Sequence, residues 1–596
     1  MRKSLIIFAI SLFFLFSNVS ALTKAPVDVT TMSIYELLNA MDKGYLTSED
    51  LVNIYLERIE AYDEMFNSIN QINEHAIEQA KELDKERENG QLRGRLHGIP
   101  ILVKCNIDVY GIPTTGGTKS LKDNYPKENA IVVQKLIEEG AIILGSTNMS
   151  ELAFSAKNSY SSYDYVRNVF NTDYTPYGSS GGSAVAVTAS FAAASLGTDT
   201  NSSVRLPAAG AGLVGIRPTM GLVDKSGVIP YDTERDTVGV ISRDVSDNAL
   251  LLSIIADSGT NYSLDNASLD GITIGVPTQY VKGNEKESGV TGLTDEDIYK
   301  LVEESIKKLE QAGAKIVYLD QFVKSSNLTI ASSTQSGITM CDGFNEYIKG
   351  TTGTIRNFEQ LVKSSGHVYG LNGYLAGCNG KNQNLNVKAE KKETYRTYVQ
   401  KYFEDYNLDV ILYPTLKNKV FYYKDGSNIS PGSSLGSVIG YPSITVPMGF
   451  VDEFSYGIEF LGEKNGESVL YNVAVSYEEV NGNKIATSKL TPSLYVVPDS
   501  VTKLLKLYEE VLLTNSTMEK VTNWLDDVEE FVGNYNNISD VDVQADALIK
   551  SYNMKFIGFA ASPSCEKVVM ILKYAAIVSM IISFLIIFKE IKMCFK

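Results

Sequence analysis

The hydrophobic and polar positions of the chain alternate between helical and strand-like patterns along most of its length. Two capping boxes, Ser33 with Glu36 and Thr47 with Asp50, precede apolar residues at helical intervals and predict two helices near the start. Short runs rich in Ile and Val predict buried strands: "GIPILVK", "AIILGS", "ITIGVP", "AKIVYL" and "LDVILYP". Helical stretches such as "ENAIVVQKLIEEG" and "DEDIYKLVEESIKKLEQAG" separate these runs. The alternation predicts an α/β fold in which helices cover both faces of a sheet.

The two ends of the chain depart from this pattern. Residues 1–21 carry two basic residues, an apolar run and then small residues, which is typical of a signal peptide. Residues 568–588 are long and apolar enough for a transmembrane helix, and the lysines of residues 589–596 fit a short cytoplasmic tail. The alternatives are an uncleaved anchor at the start and a buried core helix at the end. The ends therefore predict a single-pass membrane protein of the secretory pathway, with its bulk extracellular or lumenal.

The domain organisation follows from where the strand signals stop. From about Pro498 onward the chain is helical and acidic, which predicts a membrane-proximal helical stalk over residues 497–567. Residues 30–496 are then the main domain. Sequons fit a glycoprotein of the secretory route and begin at Asn148, Asn261, Asn266, Asn327, Asn428, Asn515 and Asn537.

Composition excludes several classes of function. The 596 residues are 44% hydrophobic, which is ample for a large core, and they carry a net charge of -17. Such an acidic field repels polyanions, so we expect no nucleic-acid partner. The five cysteines show no CxxC spacing and no neighbouring histidine pairs, so a zinc site has no support. We expect no metal and no other cofactor. A bridge between Cys341 and Cys378 is permitted, but the sequence does not establish it.

The segment with the most candidate chemistry is "GSSGGSAVAVTASFAAASLGTDTNSSVRLPA", residues 178–208. A flexible linker would be polar and aperiodic, whereas "SAVAVTASFAAAS" is almost wholly small or apolar and predicts a buried helix. A phosphate-binding loop needs Lys and then Ser or Thr after its last glycine, but Ser183 and Ala184 follow Gly182. What remains is a group of hydroxyls and backbone N–H groups at a helix start, which suits a nucleophilic serine or an oxyanion.

A nucleophilic serine needs a base, which is usually a histidine. The chain has three histidines, His75, His97 and His367, and we interpret the first and last as ordinary surface or loop residues. Lys104 ends the apolar run "LHGIPILVK" and would become a base if burial disfavoured its ammonium form. The alternative is a lysine that leaves the sheet edge toward water, and local sequence does not separate the two.

At this point the motifs resemble those of a known family, the amidase signature family, which includes peptide amidases and fatty acid amide hydrolase. The segments that carry the resemblance follow in that family's order: "LHGIPILVK", "AIILGSTNMSELAFS", "GSSGGS", "LGTDTNSSVRLPAA", "GLVGIRPTMGLV", "VGVISRDVSDNALLL", "GYPSITVPMGF" and "SVLYNVAVSYEE". The resemblance covers approximately Thr30 to Ala486. It implies a large mixed central β-sheet covered by helices on both faces.

The resemblance also implies an activity, the hydrolysis of a linear carboxamide through a Ser–cis-Ser–Lys triad and an acyl-enzyme. By motif, the base is Lys104, the bridging serine in a cis peptide is Ser179 and the nucleophile is Ser203. Substrate-binding positions carried over in the same way are Ala153, Ser179 and the oxyanion-hole residues Thr200, Asn201, Ser202 and Ser203. The expected partner is a small-molecule or peptide amide, and "FNEYIKGTTGTIRNFEQLVKSS" is similar to a region of peptide-amide-cleaving members.

Two positions depart from the family's pattern. Asn201 and Ser202 stand where the family usually has Gly-Gly, which would strain the loop if either position needed a positive φ. Cys105 stands where an acidic residue commonly follows the lysine. Two alternative functions therefore remain. One is an inactive binding protein that keeps the fold, and the other is a component of a glutamyl-tRNA amidotransferase, which the acidic charge and the predicted ends of the chain oppose.

Overall fold

The computed structural model describes residues 28–282, 294–320, 322, 337, 339–380, 385–425, 434–482, 485–494, 498–512, 519–533 and 540–552. The predicted signal peptide, transmembrane helix and cytoplasmic tail lie outside the described residues. The chain divides into two compact units, of which the larger is Val29–Leu494. Every candidate site residue named above lies in this larger unit.

Among the residues that the structure describes, the larger unit has one sheet of eleven strands and a separate pair of two-residue strands. The strands are β1 (Ile69–Ile72), β2 (Pro100–Lys104), β3 (Ile142–Thr147), β4 (Tyr160–Ser161), β5 (Asp164–Tyr165), β6 (Ala194–Asp199), β7 (Val214–Arg217), β8 (Thr237–Ser242), β9 (Thr273–Pro277), β10 (Lys315–Leu319), β11 (Val410–Pro414), β12 (Ser443–Val451) and β13 (Phe454–Gly462). The large sheet has the order β1-β3-β2-β6-β8-β7-β12-β13-β11-β9-β10, and β4 pairs with β5.

The large sheet is mixed. Strand β2 runs parallel to both β3 and β6, and β9 runs parallel to β10 and β11. The centre of the sheet is antiparallel, through the pairs β6–β8, β8–β7, β7–β12, β12–β13 and β13–β11. The predicted α/β class and the mixed central sheet with flanking helices are confirmed.

Helices of the larger unit connect and flank these strands. They are α1 (Ile34–Asp42), α2 (Ser48–Phe66), α3 (Ala76–Glu88), α4 (Ile131–Glu138), α5 (Gly181–Thr188), α6 (Arg205–Ala211), α7 (Val245–Ile255), α8 (Thr278–Val281), α9 (Glu296–Gln311), α10 (Met340–Tyr347), α11 (Phe358–Lys363), α12 (Leu385–Tyr406), α13 (Leu435–Ile439) and α14 (Glu467–Asn481). Both predicted capping boxes form. The side chains of Ser33 and Thr47 accept from the backbone N–H groups of Glu36 and Asp50, and the carboxylates of Glu36 and Asp50 accept from the backbone N–H groups of Ser33 and Thr47.

The predicted helix over residues 183–195 is only half right. Helix α5 ends at Thr188, and strand β6 begins at Ala194. Ser190 takes a left-handed φ of 58°, and Phe191 N–H closes on the carbonyl of Ala186 at 2.8 Å, which ends the helix. Small residues such as Ala and Ser have no strong preference between helix and strand. The strand conformation at the end of this segment is therefore determined by the pairing of β6 with β2 and β8.

The smaller unit contributes three described helices, α15 (Asp499–Leu512), α16 (Glu519–Gly533) and α17 (Val541–Tyr552). Trp524 is its largest buried side chain, and the indole N–H donates to the carbonyl of Leu548 at 3.0 Å. Across the residues that the structure describes, we find no helix with the length and apolar composition needed to cross a bilayer.

Candidate active site

Lys104 lies at the carboxyl end of strand β2, whose five residues are all buried. Its side chain is completely buried, and Nζ donates to Ser179 Oγ at 2.7 Å and to Thr198 Oγ1 at 2.8 Å. Burial disfavours the ammonium form and lowers the pKa of Lys104 to about 7. The alternative of a solvated lysine at the sheet edge is therefore wrong.

Ser179 lies in the loop that feeds helix α5, and the Gly178–Ser179 peptide is cis, as the resemblance implies. The serine is fully buried, and its carbonyl accepts from Ser150 N–H at 3.0 Å. Gly182, in the first turn of α5, has no room for a side chain, since a Cβ there would lie 2.2 Å from the carbonyl oxygen of Asn148. Because the glycines of "GSSGG" have no Cβ, this loop can pack in close contact with the neighbouring backbone.

Ser203 lies just before helix α6 and is 4% exposed. Its carbonyl accepts from the N–H of Ser180 at 3.1 Å, so the loop that carries Ser203 is bonded to the loop that carries Ser179. Lys104, Ser179 and Ser203 come from separate stretches of the chain, and these two contacts join the three stretches.

The loop before Ser203 is held by side-chain contacts at two positions. Thr200 Oγ1 donates to Asp236 Oδ1 at 2.6 Å, and Arg235 Nη1 donates to the side chain of Asn201 at 3.2 Å. The carbonyl of Asn201 accepts from both Arg205 and Ser437. Neither Asn201 nor Ser202 has a positive φ. The strain considered for these replacements of Gly-Gly is therefore not present in the loop.

A buried ionic network contacts this loop through Arg205, which donates to the carbonyl of Asn201. Arg205 pairs with Asp199 at 3.2 Å and with Glu459, and Arg217 pairs with Asp199 at 3.1 Å. All four side chains are almost completely buried. Burial alone would raise the pKa of Asp199, but Arg205 and Arg217 outweigh it and lower that pKa below its usual value. Sequence reasoning missed this network, because Glu459 is 254 positions from Arg205.

Ala153 lies in a hydrophobic cluster beside Cys105 and Ile229, and its left-handed φ of 61° is unusual for alanine. The next residue, Phe154, has its ring centroid 5.1 Å from that of Tyr231 and 5.4 Å from that of Tyr369. The structure thus places an aromatic surface next to the predicted pocket residue. No periodicity in the sequence indicated these aromatic contacts.

Cys341 and Cys378 form a disulfide that joins helix α10 to the short 3-10 segment Asn372–Gly380, so the pairing left open by the sequence is present. Met340 and Phe344 of α10 belong to the same hydrophobic cluster as Ala153. The disulfide therefore links the helix that contributes Met340 and Phe344 to this cluster covalently to the segment Asn372–Gly380.

Cys105 is a free, fully buried thiol, and burial raises its pKa to about 11, so it is neutral at physiological pH. Its presence after Lys104 does not divert the amine, which still reaches Ser179. None of the three histidines contacts Lys104, Ser179 or Ser203 through a hydrogen bond that the structure shows. His97 Nε2 is 2.9 Å from the carbonyl oxygen of Leu83, His367 bonds to nearby carbonyl groups, and His75 is exposed.

Comparisons with known proteins show the family to which this chain belongs. A sequence model of a family described as Amidase matches residues 50–470. The chain belongs to the amidase family. The prediction drawn from the motifs is confirmed at this level, as is the assignment to enzymes that act on C–N bonds.

Relatives within the amidase family are similar over most of the chain. The A subunit of glutamyl-tRNA(Gln) amidotransferase from Thermoanaerobacter pseudethanolicus is 30% identical over 76% of this chain and 97% of its own length. A peptide amidase solved in complex with the competitive inhibitor chymostatin is 30% identical over 75% of this chain and 97% of its own, with a TM-score of 0.68. The peptide amidase of Stenotrophomonas maltophilia is 28% identical over 78% of this chain and 98% of its own length, also with a TM-score of 0.68.

The predicted localisation needs correction. A single-pass membrane protein of the secretory pathway is contradicted by the relatives of this chain, which are A subunits of glutamyl-tRNA(Gln) amidotransferase. The prediction rested on apolar runs with neighbouring basic and small residues at the two ends, and such targeting patterns do not by themselves establish where a protein is located. The expected membrane partner and glycosylation lose their support with it.

Proposed function

We propose that this amidase-family chain hydrolyses linear carboxamides, with Ser203 as nucleophile, Ser179 as proton relay and Lys104 as base. The observation that carries the proposal is the buried amine of Lys104, with a pKa near 7, in direct contact with Ser179. A buried amine that is neutral near physiological pH is poised to accept a proton.

The reaction proceeds by covalent catalysis. Ser203 Oγ attacks the amide carbonyl carbon while its proton passes to Ser179 Oγ and the proton of Ser179 passes to Lys104 Nζ. The tetrahedral intermediate collapses, the C–N bond breaks, and the amine leaves with the proton returned by the same route. Water then attacks the acyl-enzyme, releases the carboxylic acid and restores Ser203.

Backbone N–H groups of Thr200, Asn201, Ser202 and Ser203 are the proposed oxyanion hole. The support for this assignment is the fixed geometry of the loop. Contacts from Asp236, Arg205 and Ser437 hold Thr200 and the Asn201 carbonyl, so the N–H groups need little rearrangement during the reaction. The normal φ values of Asn201 and Ser202 oppose the alternative of an inactive binding protein.

Ala153 and the neighbouring aromatic surface are the proposed wall of the substrate pocket, and peptide or amino-acid amides are the proposed substrate class. The similarity to two peptide amidases supports this class. The experiment is release of ammonia from C-terminal peptide amides by the purified chain. We expect Ser203→Ala to lower the rate by at least about 10⁴-fold, because the members of a catalytic unit act together.

Ser202→Ala is the matched control, since it removes a neighbouring hydroxyl but keeps the backbone N–H. We expect it to retain most of the activity. Turnover in Ser203→Ala equal to that of the parent chain would refute the assignment of the nucleophile.

A second candidate is the role of the A subunit in an amidotransferase, favoured by the 30% identity over nearly the full length of such a relative. The net charge of -17 disfavours direct contact with RNA. Ammonia release from free glutamine, compared with release from peptide amides, separates the two candidates. A preference for glutamine would favour the amidotransferase role.

A further inference from the structure

A cavity of about 570 Å³ lies in the larger unit apart from the proposed triad. Its wall includes Asp108, Lys225, Val228, Pro230, Asp236 and Tyr347. Lys104, Ser179 and Ser203 are not among the described lining residues. The volume is in the range of cavities that bind small organic molecules.

Asp108 is the most distinctive group in this wall. It is 4% exposed, its Oδ1 accepts from the hydroxyl of Tyr347 at 2.7 Å, and its N–H donates to the carbonyl of Gly227 at 2.8 Å. An ionised carboxylate has acceptor sites for about four donors, so Asp108 can bind a further donor from the cavity. Burial disfavours the charged form of Asp108 and raises its pKa to about 7. A cation bound beside the carboxylate would favour the charged form and so offset this cost of burial.

Asp236 is a second buried carboxylate in the wall, and its two oxygens already accept three hydrogen bonds. Oδ1 accepts from Thr200, and Oδ2 accepts from the N–H groups of Tyr231 and Asp232, both at 2.8 Å. Asp236 therefore adds negative charge to the cavity while it holds the loop before Ser203.

The cations of the wall already have partners. Lys225 Nζ donates to the carbonyl of Thr233 at 2.7 Å, and burial lowers the pKa of Lys225. Lys349 pairs with Glu346 at 2.5 Å, where both side chains are exposed. When Asp108, Asp236, Glu346, Lys225 and Lys349 are all ionised, the lining carries one excess negative charge. Arg235 and Arg217 act on Asp236 from outside the lining, so Asp108 is the carboxylate that is open to a cationic ligand.

We propose that this cavity binds a small organic ammonium ion, with its –NH₃⁺ group on Asp108 and its apolar body against Val228, Pro230 and the ring of Tyr347. An ammonium group supplies both hydrogen-bond donors and a positive charge to the buried carboxylate of Asp108. The apolar lining accounts for an organic body rather than a bare cation. An anionic ligand would meet two buried carboxylates, and Lys225 is committed to the carbonyl of Thr233.

The experiment is calorimetric titration of the full chain with benzylammonium, compared with neutral benzyl alcohol and anionic benzoate. We expect saturable binding of benzylammonium alone. Asp108→Asn should weaken it at least about tenfold, since a charge-assisted contact is lost. Asp342→Asn is the matched control, because it makes the same change at an exposed residue of helix α10, and it should leave affinity within about twofold of the parent's.

Two further measurements keep the test independent of catalysis and of misfolding. Ser203→Ala should bind benzylammonium as the parent does, which separates this cavity from an amine subsite at the nucleophile. Ser226→Trp, at an exposed lining residue, should block the cavity and abolish binding. Equal affinity for benzyl alcohol, unchanged binding in Asp108→Asn, or loss of binding in Ser203→Ala would each overturn the proposal, whether or not the chain hydrolyses amides.

Discussion

At the scale of single residues, the protonation state of Lys104 determines how the rate of the proposed reaction depends on pH. Only the neutral amine accepts a proton, and the pKa of Lys104 is lowered to about 7. We therefore expect kcat/KM for amide hydrolysis to rise with pH through about 7 and to level off above it. The measurement is a pH–rate profile at constant ionic strength.

Lys104→Met is the control for this profile, since it keeps a buried side chain of similar length without a titrating group. Its residual activity should lose the rise near pH 7. A rise of the same shape in the methionine variant would show that another group controls the reaction.

Asn201 and Ser202 give a second prediction at the residue scale. Because neither has a positive φ, replacing both by glycine relieves no strain. The replacement removes the contact between Arg235 and the Asn201 side chain, but it keeps the contacts of Arg205 and Ser437 with the carbonyl of residue 201. We expect Asn201→Gly with Ser202→Gly to change the rate at which a fluorophosphonate labels Ser203 by less than about threefold, far below the cost of about 10²-fold or more for losing an oxyanion donor. A gain of about tenfold would mean that the native pair misaligns the N–H groups.

Single residues also show what the sequence could and could not predict. The roles of Lys104, Ser179 and Ser203 were predicted from family motifs, because each stands in a short stretch with a distinctive pattern, and these roles stay a prediction. The partners Asp236 and Glu459 were not, since their contacts with Thr200 and Arg205 depend on chain crossings that no local pattern records. The sign of φ at Asn201 likewise required the loop's tertiary contacts.

At the scale of elements, the first turn of helix α5 is fixed by close backbone contact. A Cβ at Gly182 would lie 2.2 Å from the carbonyl oxygen of Asn148 and 2.5 Å from that of Ser68. Gly182→Ala should therefore displace the loop of Ser179 and lower activity by about 10²-fold, which is typical of a displacement near about 1 Å. Gly370→Ala, where a Cβ meets open space, should have no effect in the same assay.

Arg205, the first residue of helix α6, belongs to the buried ionic network. Arg205→Met leaves Asp199 and Glu459 buried without their shared partner and should lower the free energy of unfolding by about 3–5 kcal/mol. The measurement is denaturant unfolding of the purified chain. Arg95→Met, which breaks an exposed pair with Glu139, should cost at most about 1 kcal/mol.

A second variant tests the reason for this loss. Adding Glu459→Gln to Arg205→Met removes one uncompensated charge and should recover part of the stability. If Arg205→Met is as stable as the parent chain, the network does not hold the helix.

The elements were predicted unevenly. Strands β2, β3, β9, β10 and β11 coincide with the apolar runs, and both capping boxes start helices. Strand β6 was missed, because its small residues follow α5 without a strong break and only pairing with β2 and β8 defines it. The order of the eleven strands also depends on long-range pairing that alternation cannot specify.

At the scale of the whole molecule, the candidate chemistry belongs to one compact unit, Val29–Leu494. The motifs spread over this unit predicted the family and the mixed sheet correctly, because eight separate segments agree in order. The ends of the chain led to a wrong localisation, because their interpretation rested on targeting patterns in the sequence, which contain no information about the fold or the relatives of the chain.

The central claim is that Ser203 is a nucleophile activated by Lys104 through Ser179, and reaction with a fluorophosphonate tests it most directly without knowledge of the substrate. The full chain is treated with the reagent, and the modified residue is located by mass spectrometry of peptides. We expect stoichiometric modification at Ser203, loss of modification in Ser203→Ala, and a rate that falls sharply in Lys104→Met but little in Ser202→Ala. Modification at another serine, or an equal rate in Lys104→Met, would contradict the account.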